Sequence, residues 1–220
     1  KYQQQTTGII NFKFREYQTE CVRVPESKQE QAAIAAILTT VDQAIAQTEA
    51  LIAKQQRIKA GLLHDLLTRG IDDAGRLRDP ATHRFKETAV GLVPVEWEVE
   101  RFGGHVESSA FGPRFSSALY AEDGSAAMLR TTDLDDDGNI ISLSLPRANL
   151  DLGGYAHHFL KEGDVVISRS GTIGVTTVFS GYELPVIPAA FMIRFRMFDT
   201  MNPTFVRRLF NSPRGRKLIY

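Results

Sequence analysis

The chain has 220 residues, 43% of them hydrophobic and 24% charged, and its 26 basic and 26 acidic residues give a formal net charge of zero. That length suits one large or two small domains, and the even charge balance excludes a uniformly basic nucleic-acid coat while leaving local patches open. The single cysteine, Cys21, excludes an internal disulfide and a cysteine-based zinc site; no apolar run approaches the ~18–20 residues of a bilayer span, so a reducing, cytoplasmic setting is expected.

The sequence begins at Lys1 with no secretory pattern, so the natural start is expected to lie upstream. Residues 1–24 are polar and then alternate (Ile9, Ile10, Phe12, Phe14, Cys21, Val22, Val24), which reads as the last strand of a domain running into a linker at Pro25. From Gln29 to about Arg69 there is no proline, and Gly61 is the only glycine. Apolar residues recur three and four apart at Ile34, Ile37, Leu38, Val41, Ile45, Ile52, Ile58, Leu62 and Leu66, the stripe of a single long helix. Ser27 suits its N-terminus and Gly70 its end. About 40 residues at ~1.5 Å each make a rod of roughly 60 Å, which needs a partner for its stripe. Two partners are open: its own domain, or a second helix in a coiled coil, the alternative that the length favours. Thr48, Gln55 and Lys59 break the seam midway, as register-setting polar positions do, or as a partner other than an identical helix would require.

Residues 71–96 carry Gly, Asp, Pro and Thr without periodicity and read as a linker. From 97 to 220 the pattern is that of an α+β globular domain, with strands expected at 126–131, 138–145, 164–168, 175–179 and 190–197. Asn202-Pro203 is a helix start, and a second short helix is expected after Pro213.

Four constellations of residues bear on chemistry. Asp133, Asp135, Asp137 and Gly138 match the first part of a calcium-binding EF-hand loop, but the twelfth position, where a bidentate glutamate belongs, is Ser144. The flanks read as strands, and Asp137-Gly138-Asn139 is a hairpin signal. The stretch Gly163–Gly174 (GDVVISRSGTIG) holds glycines, hydroxyls and Arg169 as a phosphate loop does, but lacks the P-loop lysine and runs into a β-branched segment. It is either a loop offering N–H groups and Arg169 to phosphates or bases, or a structural turn. His157 and His158 are adjacent and on a strand would face opposite ways, so no shared metal is expected, and no catalytic motif of the familiar hydrolase, protease or methyltransferase kinds occurs. From Arg194 to Lys217, seven basic residues (Arg194, Arg196, Arg207, Arg208, Arg214, Arg216, Lys217) stand against one acid, Asp199, either a solvated face or a phosphate-contacting one.

Taken in order, several of these segments resemble the specificity (S) subunits of type I restriction-modification systems. Val24-Pro-Glu-Ser-Lys-Gln-Glu-Gln-x-x-Ile34 is similar to the sequence that opens their conserved helices, as are Asp42–Ile45 and Lys59–Leu67 further along. Gly91-Leu-Val-Pro94 and Trp97-Glu-Val resemble the start of a target-recognition domain. Gly163–Gly174 resembles that domain's strand and loop, Asn211–Lys217 its late helix start, and Thr6–Asn11 the close of the preceding domain. The linker departs from the family in having one proline, Pro25, followed by Glu26-Ser27-Lys28.

The resemblance implies 1–24 as the tail of a first recognition domain, 25–70 as the spacer helix, 71–96 as linker and 97–220 as a second recognition domain, about one repeat period cut through recognition domains at both ends. It implies a non-catalytic reader of double-stranded DNA that positions methyltransferase (M) and restriction (R) subunits on a bipartite target. Each recognition domain would read one half-site, and the paired helices would fix the spacer between them. S-adenosylmethionine, ATP and Mg would sit on those partners only, with no metal or cofactor on this chain. The spacer helix would pair with a second long helix from the same or another S chain. DNA contacts are expected from Arg114, Phe115, Ser116, Ser117, Arg130, Thr131, Thr132, Asp133, Arg169, Ser170 and Thr172, with Arg207, Arg214, Arg216 and Lys217 on phosphates. The competing reading is a coiled-coil scaffold that binds protein and not DNA.

Overall fold

A computed structural model of the chain describes residues 3–6, 9–12 and 14–219. Thr7 and Gly8, within the Thr6–Asn11 resemblance, lie outside the described residues. The chain divides into two compact units, Lys1–Arg57 and Ile58–Tyr220.

In the first unit, β1 (Gln3–Thr6) and β2 (Ile9–Phe12) form an antiparallel pair, followed by one turn of helix, α1 (Phe14–Tyr17). Residues 21–24, expected to continue a strand, form none: the alternating Cys21, Val22 and Val24 have no strand beside them. The long helix α2 (Lys28–Arg69) crosses from this unit into the next without a break. Ser27 Oγ accepts from the N–H groups of Gln29 (3.2 Å) and Glu30 (3.4 Å), satisfying donors that a helix start leaves orphaned. Thr48, one of the seam-breaking residues, returns its hydroxyl to the Ala44 carbonyl (2.8 Å) and so adds no unmet donor. No residue of α2 is buried, and the stripe from Ile34 to Leu66 is at least 43% exposed at every position that the periodicity picks out. The stripe is therefore exposed along its length.

In the second unit the helix ends on Gly70, whose φ of 61° is a left-handed cap, and a Cβ there would come within 2.6 Å of the Trp97 ring. Arg69 Nε donates to the Arg78 carbonyl (2.7 Å) and Arg78 Nη1 returns to the Arg69 carbonyl (3.3 Å). The linker is more ordered than its composition suggests: β3 (Phe85–Lys86) and β4 (Val93–Pro94) pair antiparallel within it.

Two sheets follow. The first orders β5 (Val106–Phe111), β11 (Met192–Met197), β8 (Val165–Ser168) and β9 (Thr176–Val178), all antiparallel. The second holds β6 (Ala126–Leu129) between β10 (Val186–Pro188), parallel to it, and β7 (Arg147–Ala148), antiparallel to it. Leu129, Val166, Val186 and Met192, none of them solvent-exposed, fill one core, while Ala126, Met128 and Ile187 face a second. Strand β6 is thus buried on both faces, which is why it reads as an unbroken apolar run. The helices α3 (Pro203–Asn211) and α4 (Pro213–Ile219) close the unit, with Asn202 Oδ1 capping α3 on the Phe205 N–H (3.0 Å).

The α+β class, the long helix and the strands near 126–131, 164–168, 175–179 and 190–197 match the sequence expectation. The strand expected at 138–145 is absent. Asp135 caps the N–H groups of Asp137 and Asn139, Gly138 turns the chain at φ 73°, and only a Leu134–Ile140 bridge remains. Its apolar residues are mostly outside: Ile141 is 58% exposed and Leu143 fully so.

Asn211 joins this loop to the sheet. Its Oδ1 accepts from the buried Thr176 N–H (2.9 Å), and its Nδ2 donates to the carbonyls of Thr176 (2.7 Å) and Asp137 (2.9 Å). The side chain therefore does for the outer edge of β9 what a further strand would do. Asn211→Ala strands a buried N–H and is expected to cost about 2–3 kcal/mol, readable as a lower urea midpoint with an unchanged m-value.

Candidate nucleic-acid interface

Three loops that are distant in sequence meet at one end of the second unit. The first follows β5. Gly112 is pressed so closely on Ala189 that a Cβ would lie 2.0 Å from its carbonyl oxygen, and this tight passage throws Pro113, Arg114 and Phe115 outward. Ser116 Oγ then caps a short 3₁₀ turn on the Ala118 N–H (3.3 Å), leaving Ser116 and Ser117 exposed. Phe115 is half-buried against Tyr120 and Tyr155, with ring centroids 5.5 and 6.3 Å away.

The second loop follows β6 through a 3₁₀ turn, Thr131–Asp133. Asp133 is fully buried. Its Oδ2 accepts from the Arg130 N–H (2.8 Å) and Nε (3.1 Å), and its Oδ1 from Arg130 Nη2 (2.8 Å) and Ser142 Oγ (2.6 Å). Asp133, expected among the DNA contacts, has its oxygens enclosed and already bonded within the protein. Arg130 and Thr131 are half-exposed and Thr132 is exposed.

Burial pushes the Asp133 carboxyl up, but the hydrogen bonds from Arg130 and Ser142, with the charge of Arg130, outweigh it and hold it below its ordinary 3.8. A carboxyl with a lower value folded than unfolded stabilises the fold above the unfolded value and loses that contribution as pH falls through the folded one. Stability is expected to drop below about pH 4, and to drop less steeply in Asp133→Asn, measured by urea unfolding across an acid series.

The third loop follows β8. Ser168 Oγ bonds the Thr172 carbonyl and accepts from the Val175 N–H (2.9 Å), drawing the loop closed around left-handed Gly171 (φ 80°) and Gly174 (φ 83°). Arg169, Gly171 and Thr172 are left exposed and Ser170 half-buried. The Arg169 N–H donates to the Phe191 carbonyl (2.8 Å), and its guanidinium lies over the Phe111 ring, 4.9 Å from the centroid.

Arg114, Phe115, Arg130, Thr131 and Thr132 line one open cleft of about 500 Å³, together with Tyr120, Met128 and Phe191. Arg169 does not line the cleft but is tied to it by the hydrogen bond of its N–H to the Phe191 carbonyl. The sequence missed Tyr120, Met128, Phe111 and Phe191, because an aromatic or apolar residue at a strand end reads as core. The exposures of Phe111 (54%) and Phe191 (53%) appear only when the strands are placed.

The basic residues near the C-terminus do not join the cleft. Arg207 Nη2 donates to the Asp137 carbonyl (3.0 Å) and Asn139 Oδ1 (2.5 Å), Arg216 Nη2 to the Asp136 carbonyl (2.6 Å), and Lys59 Nζ sits 2.5 Å from Asp137 Oδ2. These residues clasp the 135–139 loop, so Arg207 and Arg216, expected on phosphates, each commit Nη2 to the protein's own loop. Lys217 is exposed and Arg214 half-buried. Arg194 is buried, and Arg196 forms a two-bond pair with buried Asp164 (2.9 and 2.7 Å), so neither belongs to a surface patch. The same clasp explains the EF-hand likeness: Asp133, Asp135 and Asp137 each face a different set of protein donors. His157 and His158 are not on a strand. They lie in a 3₁₀ turn with ring centroids 3.8 Å apart, and no group of three metal-ligating side chains exists among the described residues.

No family model matches the sequence. Solved structures share the fold. One is a chain from the structure of complex assembly and conformational transition in the type I R-M system, 16% identical over 89% of this chain and 43% of that one, with a TM-score of 0.50. Another is the type I restriction-modification S subunit from M. genitalium, 15% identical over 99% of this chain and 50% of that one, also at 0.50. The chain thus spans about half the length of the structures it matches.

Proposed function

We propose that the chain is part of a specificity subunit of a type I restriction-modification system and reads double-stranded DNA without chemistry of its own. The observation that carries this is a cleft lined by Arg114, Arg130, Thr131 and Thr132 from two loops, beside which Arg169 of a third loop is hydrogen-bonded to the cleft residue Phe191. Guanidinium and hydroxyl groups beside apolar surface suit a duplex, whose phosphates take charge and whose base edges take directed hydrogen bonds and methyl contacts. The fold shared with a type I S subunit supports the same reading.

In this proposal α2 is a spacer. Its exposed stripe (Ile34, Ile37, Leu38, Val41, Ile45, Ile52, Ile58, Leu62, Leu66) receives a second long helix from the same or another S chain. The methyltransferase and restriction subunits would bring S-adenosylmethionine, ATP and Mg, and the site of action would be the cytoplasm. No helix of the described residues is long and apolar enough to cross a membrane.

Mobility shift of a duplex at rising salt tests the proposal. Binding is expected, with log K falling linearly in log salt. The exposed stripe also favours a second reading, a coiled-coil scaffold that binds only protein, which predicts no duplex shift at any salt.

A further inference from the structure

The cleft and the Arg169 loop beside it present arginines of two kinds. Arg114 and Arg169 have no carboxylate partner among the described residues, so each offers a whole positive charge. Arg130 does not: its Nε and one Nη2 proton are given to the two oxygens of Asp133, whose side chain is 1% exposed against 44% for Arg130. A guanidinium has five N–H donors in a rigid plane. Asp133 uses the Nε–Nη2 edge, and no protein acceptor among the described residues takes the Nη1–Nη2 edge, which carries a second parallel pair of donors.

The acid is itself fixed, by the Arg130 backbone N–H (2.8 Å) and by Ser142 Oγ (2.6 Å), so the guanidinium is held in one orientation. The adjacent carboxylate offsets the charge of Arg130 and weakens its pull on phosphates, while its directed hydrogen bonds persist. Tyr120, Met128 and Phe191 share the cleft with it, an apolar setting closer to a base edge than to a hydrated phosphate.

We propose that Arg130 discriminates a guanine through its free Nη1–Nη2 edge on O6 and N7, that Asp133 is its positioning residue, and that Arg114 and Arg169 act on phosphates. This rests on the DNA-reading function proposed above. The full chain is used to enrich a favoured duplex from a random-sequence pool, and affinities are then compared for that duplex and its single-base-pair variants. Arg130→Lys keeps the charge and removes the paired donors, and should cut discrimination at one G·C pair by about tenfold or more. Asp133→Asn, checked for folding by its urea transition, should cut discrimination at the same pair, a change that a merely structural role would not confine to one position. Arg114→Ala and Arg169→Ala should lower affinity for favoured and substituted duplexes by the same factor, each making the salt slope shallower by about 1.

Unchanged discrimination in Arg130→Lys, or an equal loss on every duplex, overturns the assignment. A wild-type chain that enriches no sequence at all overturns the DNA-reading function, and the assignment with it.

Discussion

Gly138→Ala should destabilise the second unit by about 4 kcal/mol or more, the largest single effect expected outside the hydrophobic core. Two causes add. Gly138 sits at φ 73°, where a side chain costs on the order of 1–2 kcal/mol. A Cβ would also lie 1.9 Å from the Thr176 carbonyl oxygen and 2.9 Å from Asn211 Nδ2. The first contact is with the backbone of β9 and has no rotamer to yield, so the loop must lift from the sheet edge. Lifting it breaks the bonds from Asn211 and Arg207 to the Asp137 carbonyl. Gly75 is the internal control: it has the same φ of 73° and nothing within 4 Å of a built Cβ. Gly75→Ala should cost about 1–2 kcal/mol, the backbone share alone. For a unit of this size, the difference should appear as a melting temperature at least several degrees lower in Gly138→Ala. Equal losses in the two variants would mean that the loop does not rest on β9.

If α2 spaces two readers on a bipartite target, as its proposed spacer role requires, deleting seven residues from its middle, Asp42–Thr48, should shorten the preferred distance between DNA half-sites by about 3 base pairs and leave the half-site sequence as it was. Seven residues at ~1.5 Å make roughly 10 Å, against 3.4 Å per base pair. Seven is also close to two full turns, so the deletion rotates the remaining stripe by only ~20° and keeps Ile34–Val41 in line with Ile52–Leu66. Binding of duplexes with graded spacers measures the shift. An unchanged spacer optimum would contradict the ruler role of the helix, and a changed half-site would mean that α2 takes part in base reading.

The sequence declares some of this architecture openly. The spacing of Ile34 through Leu66 needs no tertiary partner to be read as a helix, and Val165-Val166-Ile167 and the Ala126–Leu129 run are strands that their burial then explains. Other parts depend on contacts that a linear pattern does not carry. Residues 138–145 alternate like a strand, yet they join no sheet, because Asp135 and Arg207 hold that stretch as a loop. Strand β5 has few β-branched residues and exists through its register on β11, Ile193 opposite Phe111.

The candidate interface divides in the same way. Arg114, Thr132 and Arg169 lie at loop positions marked by glycine, proline and hydroxyl neighbours, and the fold leaves them exposed. Asp133, Arg207 and Arg216 looked equivalent in composition, but their partners Arg130, Asn139 and Asp136 commit them to the protein's own structure. Charge counted along the chain cannot separate an arginine that faces solvent from one that ties down a loop.

The most direct measurement is the sequencing of duplexes captured by the wild-type chain from a random pool at moderate salt. Sequence-specific reading predicts enrichment of a short shared motif containing a guanine, with affinity for the enriched duplex at least ~10³-fold above that for random duplex. Captured duplexes with no shared motif, or no capture at salt low enough to favour any phosphate contact, would contradict it.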